Sequence, residues 1–230
     1  MERERLAENI DAVRAAIADA CARAGRDPSS VTLVAVTKYL TPEQAALLPE
    51  LGLLDLGENR VQELLKKRER LPASVRWHMI GHLQRNKVKK VLPAVVLVHG
   101  VDSVRLLDAL AGHASPSSPA PLLLEVNLSG EETKYGFAPG EVETALEHAL
   151  GLPSLRPLGL MTMAPVVDDA EKTRPIFAAL RELRDSLARR FGLGDSFRHL
   201  SMGMSQDYEV AVEEGATLVR VGSVLYRGAL

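Results

Sequence analysis

Cysteine is nearly absent. Cys21 is the only one in 230 residues, so an intramolecular disulfide is impossible and no thiol cluster exists to hold a metal. Aromatic residues make up 4% of the chain, with one tryptophan, and Trp77 reads as packing rather than stacking. No charge of one sign dominates. The 28 basic and 30 acidic residues leave a net charge of −2, so no global field draws nucleic acid or a membrane surface, and neither is expected as a partner. No apolar run approaches the roughly 20 residues that span a bilayer. The opening MERERLAENIDAVRAAI alternates charged and apolar positions and lacks the continuous core of a signal peptide. A cytoplasmic location is the expectation.

What is present suits one folded core. Hydrophobic residues at 46% and charged residues at 25% are ordinary for a globular protein, and residues 1–230 read as a single domain. Leu6, Ile10, Val13, Ile17 and Cys21 recur at helical spacing, and Gly25 can stop that first helix. On that apolar face Cys21 reads as a small core residue. The run VTLVAV (Val31 to Val36) is short and β-branched, as in a strand buried on both faces. Thr41, Pro42 and Gln44 then form a capping-box helix start.

The unit repeats. Further strand-like runs lie at Leu53–Leu56, Val75–Ile80, Ala94–Val98, Leu122–Asn127, Leu155–Met161, Phe197–Ser201 and Ala216–Val221. Amphipathic segments separate them, which implies parallel pairing. The fold class is therefore α/β. Eight units in this length favour a single (β/α)8 TIM barrel with an extra N-terminal helix, an open doubly wound sheet being the alternative. The stretch Ser115–Pro121 reads as a surface loop. The basic run Arg85–Lys90 reads as the wet face of a helix.

Active sites of such barrels lie in the loops at the carboxyl ends of the strands. That rule selects Lys38, Asn59, His78 and His82, Asn127 and Lys134, Met161 and Thr162, Ser201 to Ser205, and Arg220 to Ser223. Barrel closure brings strand one beside strand eight, so Lys38 and Arg220-Val221-Gly222-Ser223 become neighbours. The small residues of SMGMS (Ser201 to Ser205) and Gly222-Ser223 suit a phosphate, with VLYRG long enough for one helical turn. A lysine beside a phosphate site suggests a phosphorylated carbonyl compound held as an imine. A solvated lysine, ordinary turn residues and a structural ion pair at Arg220 remain the bland alternatives, and a cofactor-free Schiff-base aldolase is another function class. His78 and His82 have an H-x3-H spacing, but Gly81 and a strand end between them argue against one helical face, so no metal is expected.

At these residues the sequence becomes recognisable. The stretches LVAVTKY, LGENRVQEL, WHMIGHLQRNKVK, EVN, KYGF, GLMTM and LSMGMSQDYEVAVEEGATLVRVGS span nearly the whole chain in order. The chain resembles the pyridoxal phosphate homeostasis family, whose fold is that of the alanine racemase amino-terminal barrel. The resemblance implies pyridoxal 5′-phosphate (PLP) bound as a Schiff base to Lys38. It implies phosphate contacts from Ser201, Gly222 and Ser223, with Ser205 as a further candidate, Arg220 against the pyridine nitrogen, and Asn59 nearby. A neighbouring cation and partial burial would favour the neutral amine at Lys38. Some members carry a second lysine where this chain has Leu40; Lys134 matches a lysine of the lysine–x–glycine stretch.

The activity the resemblance implies is holding PLP and delivering it to PLP-dependent apoenzymes, by a monomer without catalytic turnover. An amino-acid racemase is the alternative. In alanine racemases a tyrosine from a carboxy-terminal β domain serves the second face of the cofactor. This sequence stops at Leu230 without such a domain, and Tyr39, Tyr135, Tyr208 and Tyr226 do not match that tyrosine.

Overall fold

The computed structural model describes residues 2–130 and 135–230. Eight parallel strands close into a barrel in sequence order. They are β1 (Thr32–Val36), β2 (Asp55–Glu58), β3 (Arg76–Met79), β4 (Leu97–Val101), β5 (Ala120–Glu125), β6 (Leu155–Met161), β7 (His199–Ser201) and β8 (Leu218–Val221). Closure is made by β1 and β8, with Thr32 opposite Leu218 and Val34 opposite Arg220. The helices are α1 (Arg3–Arg23), α2 (Pro42–Ala45), α3 (Leu47–Glu50), α4 (Val61–Arg68), α5 (Val88–Val91), α6 (Val104–Ala111), α7 (Val142–Leu150), α8 (Arg174–Arg190) and α9 (Tyr208–Glu213).

The extra helix α1 buries Leu6, Ile10, Val13 and Ile17, each contributing roughly 1.5–3 kcal/mol. It also pins the chain beyond β8. Asn9 donates to the carbonyls of Leu225 and Arg227 at 2.9 and 3.0 Å, and Glu2 N–H donates to Ala229 O at 2.9 Å. The loop that carries Gly222 and Ser223 is thus held from outside the barrel. At the head of α2, Thr41 and Gln44 form the expected capping box.

Alternation along each strand sorts side chains between two cores. Leu56, Trp77, Leu124, Leu160, Leu200 and Val219 face the helices. Val34, Leu97, Leu123, Met161 and Leu218 form a smaller cluster inside the barrel. The same parity turns Asp55, His78, His99, Ser201 and Arg220 inward, and all are buried.

Three strands are displaced from their apolar runs. The run at Leu53–Leu56 gives a strand at Asp55–Glu58, and Ala94–Val98 gives Leu97–Val101. These two move toward polar residues because their carboxyl ends are enclosed, and Glu58 and His99 find buried hydrogen-bond partners there. The third, β5, begins at Ala120, so the loop from Ser115 ends earlier than expected. The segment after β8 forms consecutive turns rather than a helical turn. In the basic run, Val88 and Val91 are buried while Lys89 and Lys90 are exposed.

Candidate functional site

Lys38 lies in the turn that leaves β1. Leu40 N–H closes that turn onto the Thr37 carbonyl at 2.9 Å, and Thr37 N–H continues the ladder to Gly57 O at 3.0 Å. The turn rests on a buried ion pair that sequence reading missed. Lys67 Nζ donates to Thr37 O at 2.7 Å and to Glu58 Oε1. Thr37 Oγ1 donates to the same carboxylate oxygen at 2.7 Å. Both charged side chains are fully buried.

A cleft of about 450 Å³ opens at this rim, within the range of small-molecule sites. Lys38, Asn59, Ser205, Arg220, Gly222 and Ser223 all line it. Gly81 lets the second loop approach, since a Cβ there would sit 2.6 Å from Asn59 O. Lys38 itself is exposed rather than partly buried. Its Nζ lies 4.9 Å from the centroid of the Tyr39 ring, which is 77% exposed, so the lysine leans over a wet aromatic instead of entering the core.

Ser201 does not line the cleft. Its buried hydroxyl is engaged by His99 Nδ1 at 2.8 Å and by Arg220 Nη1, so that oxygen is turned away from the place expected for the phosphate. Being inward-facing at the end of β7, it supports Arg220 from below. Arg220 Nη2 donates to Thr162 O at 2.9 Å. Burial pushes its guanidinium down to about 10, against the upward pull of Glu125 and Asp207, so it is a cation at neutral pH.

The loops after β7 and β8 converge on one oxygen. Gly222 N–H and Val224 N–H both donate to Ser205 Oγ, at 3.1 and 3.5 Å. Backbone donors aimed at one point make an anion-binding concavity, and the exposed Ser223 stands between them. The preceding loop is locked by Asp207, whose Oδ1 accepts Met204 N–H at 2.7 Å. Gly203 has φ +90°, and a Cβ there would meet Ala211 Cβ at 2.5 Å, so the sharp turn into α9 needs glycine.

His78 and His82 diverge. His78 points into the barrel, with Nε2 3.0 Å from Asp55 Oδ1. His82 meets Asp102 at 2.6 Å and stacks on Tyr135 with centroids 4.2 Å apart. Lys134 lies outside the described residues.

Against this geometry, the alanine racemase N-terminal domain family matches residues 3–229. A pyridoxal phosphate homeostasis protein of Aquifex aeolicus is 44% identical over 95% of this chain and 96% of its own length. The chain belongs to the pyridoxal phosphate homeostasis protein family. PipY of Synechococcus elongatus, solved with PLP bound, has a TM-score of 0.83 at 32% identity, covering 96% of this chain and 99% of that one. The alanine racemase of E. faecalis has a TM-score of 0.71 at 17% identity, covering 98% of this chain and 58% of that chain. This last likeness is one of fold alone.

The residues of the cleft fit the cofactor of this family. PLP presents an aldehyde, a phosphate and a ring nitrogen. An exposed amine, converging backbone N–H groups and a buried arginine meet these demands within one cleft.

Proposed function

We propose that this protein binds PLP in the cleft at the β1–β8 closure, holds it as a Schiff base to Lys38, and hands it on to PLP-dependent apoenzymes without catalytic turnover. One observation carries the reading: Lys38, the only lysine among the described residues that line the cleft, shares it with Arg220 and with the N–H groups that converge on Ser205. The names of the relatives and the PLP-bound PipY structure support it. The group supplies an aldehyde that condenses reversibly with an amine.

The chain's own residues then have separate tasks. Gly222, Val224 and Ser223 offer donors to the phosphate. Arg220 offers N–H groups and a positive charge to the ring nitrogen, which keeps that nitrogen unprotonated. An unprotonated ring is a weaker electron sink and suits holding better than carbanion chemistry. Lys38 is exposed, so solvent and incoming amines can reach it. A racemase needs a second acid or base across the ring. Tyr226, which also lines the cleft, is an unsuitable one: its hydroxyl donates to Val36 O at 3.0 Å, and burial pushes its pKa up.

Borohydride reduction after addition of PLP, followed by peptide mapping, tests the assignment. The label is expected on Lys38. Lys38→Ala should lose it while changing stability by no more than about 0.5 kcal/mol, since the side chain is exposed. Labelling chiefly at Lys134 or Lys172 would overturn the site.

A further inference from the structure

Beneath the cleft a line of buried polar side chains crosses the barrel. Asp55 Oδ1 lies 3.0 Å from His78 Nε2, His78 Nδ1 lies 2.9 Å from His99 Nε2, and His99 Nδ1 lies 2.8 Å from Ser201 Oγ. Arg220 Nη1 donates to that same Oγ. At the other end Arg76 Nε donates to Asp55 Oδ1 at 2.8 Å. The members come from β2, β3, β4, β7 and β8, and each is an inward position of its strand.

Donor and acceptor rules leave one arrangement of protons. Arginine only donates, so Ser201 Oγ accepts from Arg220. The serine proton then goes to His99 Nδ1, its other partner. Burial, with His78 and Arg220 beside it, holds the His99 pKa well below the ordinary histidine value. A neutral ring that accepts at Nδ1 donates from Nε2. His78 therefore accepts at Nδ1 and donates from Nε2 to Asp55. Asp55 closes the line as an acceptor: burial opposes its charge, but the His78 and Arg76 hydrogen bonds win and hold its carboxyl down to about 2. Every hydrogen bond points from Arg220 toward Asp55.

Arg220 has no carboxylate within salt-bridge distance among the described residues. Its partners are Ser201 Oγ and Thr162 O, and Glu125 and Asp207 act on it without touching it. A buried cation held by neutral acceptors depends on how those acceptors are polarised. We propose that Asp55, His78, His99 and Ser201 are positioning residues for Arg220, forming a one-directional hydrogen-bond chain that aims its guanidinium at the ring nitrogen of the ligand in the cleft. The inference rests on the PLP reading above for its ligand and on the barrel interior for its geometry.

Long-range proton–nitrogen NMR correlation of the histidine rings, on protein without added PLP, tests the chain directly. His99 is expected to carry its one proton on Nε2 between about pH 6 and pH 8, the range where an ordinary histidine titrates, and to donate it to His78 Nδ1. In Ser201→Ala, His99 loses the donor that fixes it and should gain an Nδ1–H population. The affinity of Ser201→Ala for added PLP should fall roughly tenfold, as expected when one hydrogen bond to a charged group is lost. An Nδ1–H ring at His99 in the unmutated protein would overturn the proposal, and so would unchanged PLP affinity in Ser201→Ala. The ring spectrum decides even if a variant fails to fold. Failure of the unmutated protein to take up PLP would instead sink the functional reading, with the ring spectrum still deciding the chain's direction.

Discussion

Lys67 sits where a lysine is costly. It is fully buried on α4, with its ammonium on Glu58 and the Thr37 carbonyl. In the sequence it belongs to the charged run KKRER and looks solvated. Yet Val61, Leu64 and Lys67 recur at spacings of three, and all of them are buried, so helical phase could have marked this lysine as inward. The identity of its partner was not legible, because Glu58 reaches it only once β2 packs beside the turn after β1. Glu58 Oε2 has no partner among the described residues, which leaves its carboxylate dependent on Lys67 and Thr37. Lys67→Met should therefore destabilise the protein by about 3–5 kcal/mol, the usual cost of leaving one buried charge alone. Adding Glu58→Gln should recover part of the loss, and urea unfolding of the two variants measures both. A loss in Lys67→Met that the second change does not reduce would mean packing, not charge, sets the cost.

At the scale of elements, the strands were legible as apolar runs, and their functional ends were not. Hydrophobic patterning located the runs, but it stopped short of Gly57-Glu58 and of His99-Gly100, where the barrel tolerates polarity because partners are buried with it. Strand order pointed to the loops after β1, β2, β7 and β8, and residues of all of them line one cleft. Strand order did not reveal that the Ser201 hydroxyl is turned inside the barrel, because at the end of β7 one residue separates such a side chain from a loop facing the cleft. Glu125, the last residue of β5, illustrates the same enclosure. Burial and Asp102 raise its carboxyl to about 7, against Arg220 and His82, from the ordinary 4.5. Between those values the folded protein holds a proton that the unfolded chain has released. The contribution of this group to stability is thus complete below pH 4.5 and lost as pH rises through about 7. Glu125→Gln keeps the neutral form at all pH values. Relative to the unmutated protein, it should gain about 1–3 kcal/mol between roughly pH 5 and pH 8. Urea unfolding at the two ends of that range gives the difference directly; parallel stability profiles would contradict the assigned titration.

For the molecule as a whole, closure of the barrel is what makes a site from distant residues. Pairing of β1 with β8 sets Val34 opposite Arg220, and so joins Lys38 to the Gly222–Ser223 loop across nearly the full length of the sequence. The eight-unit alternation announced that closure, whereas the polar line through the interior could be seen only after the strands had been phased. On the reading proposed above, Lys38 serves one face of a bound ring, and among the described lining residues the tyrosines offer no matching acid on the other. Tyr226 is tied to Val36 O, and Tyr39 springs from the same turn as Lys38, with its ring beside the ammonium. On that reading, removal and return of an α-proton on opposite faces has no second acid or base among the described tyrosines of the cleft, and an exposed lysine leaves the reacting centre open to water. With PLP loaded, exchange of the α-proton of L- or D-alanine in deuterated water should run well below about one turnover per second, the lower end of ordinary enzyme rates. Proton NMR of the alanine signal follows both isomers. Exchange at or above that rate, lost in Lys38→Ala, would restore the racemase reading and require an acid that the cleft acquires only when the ligand is bound.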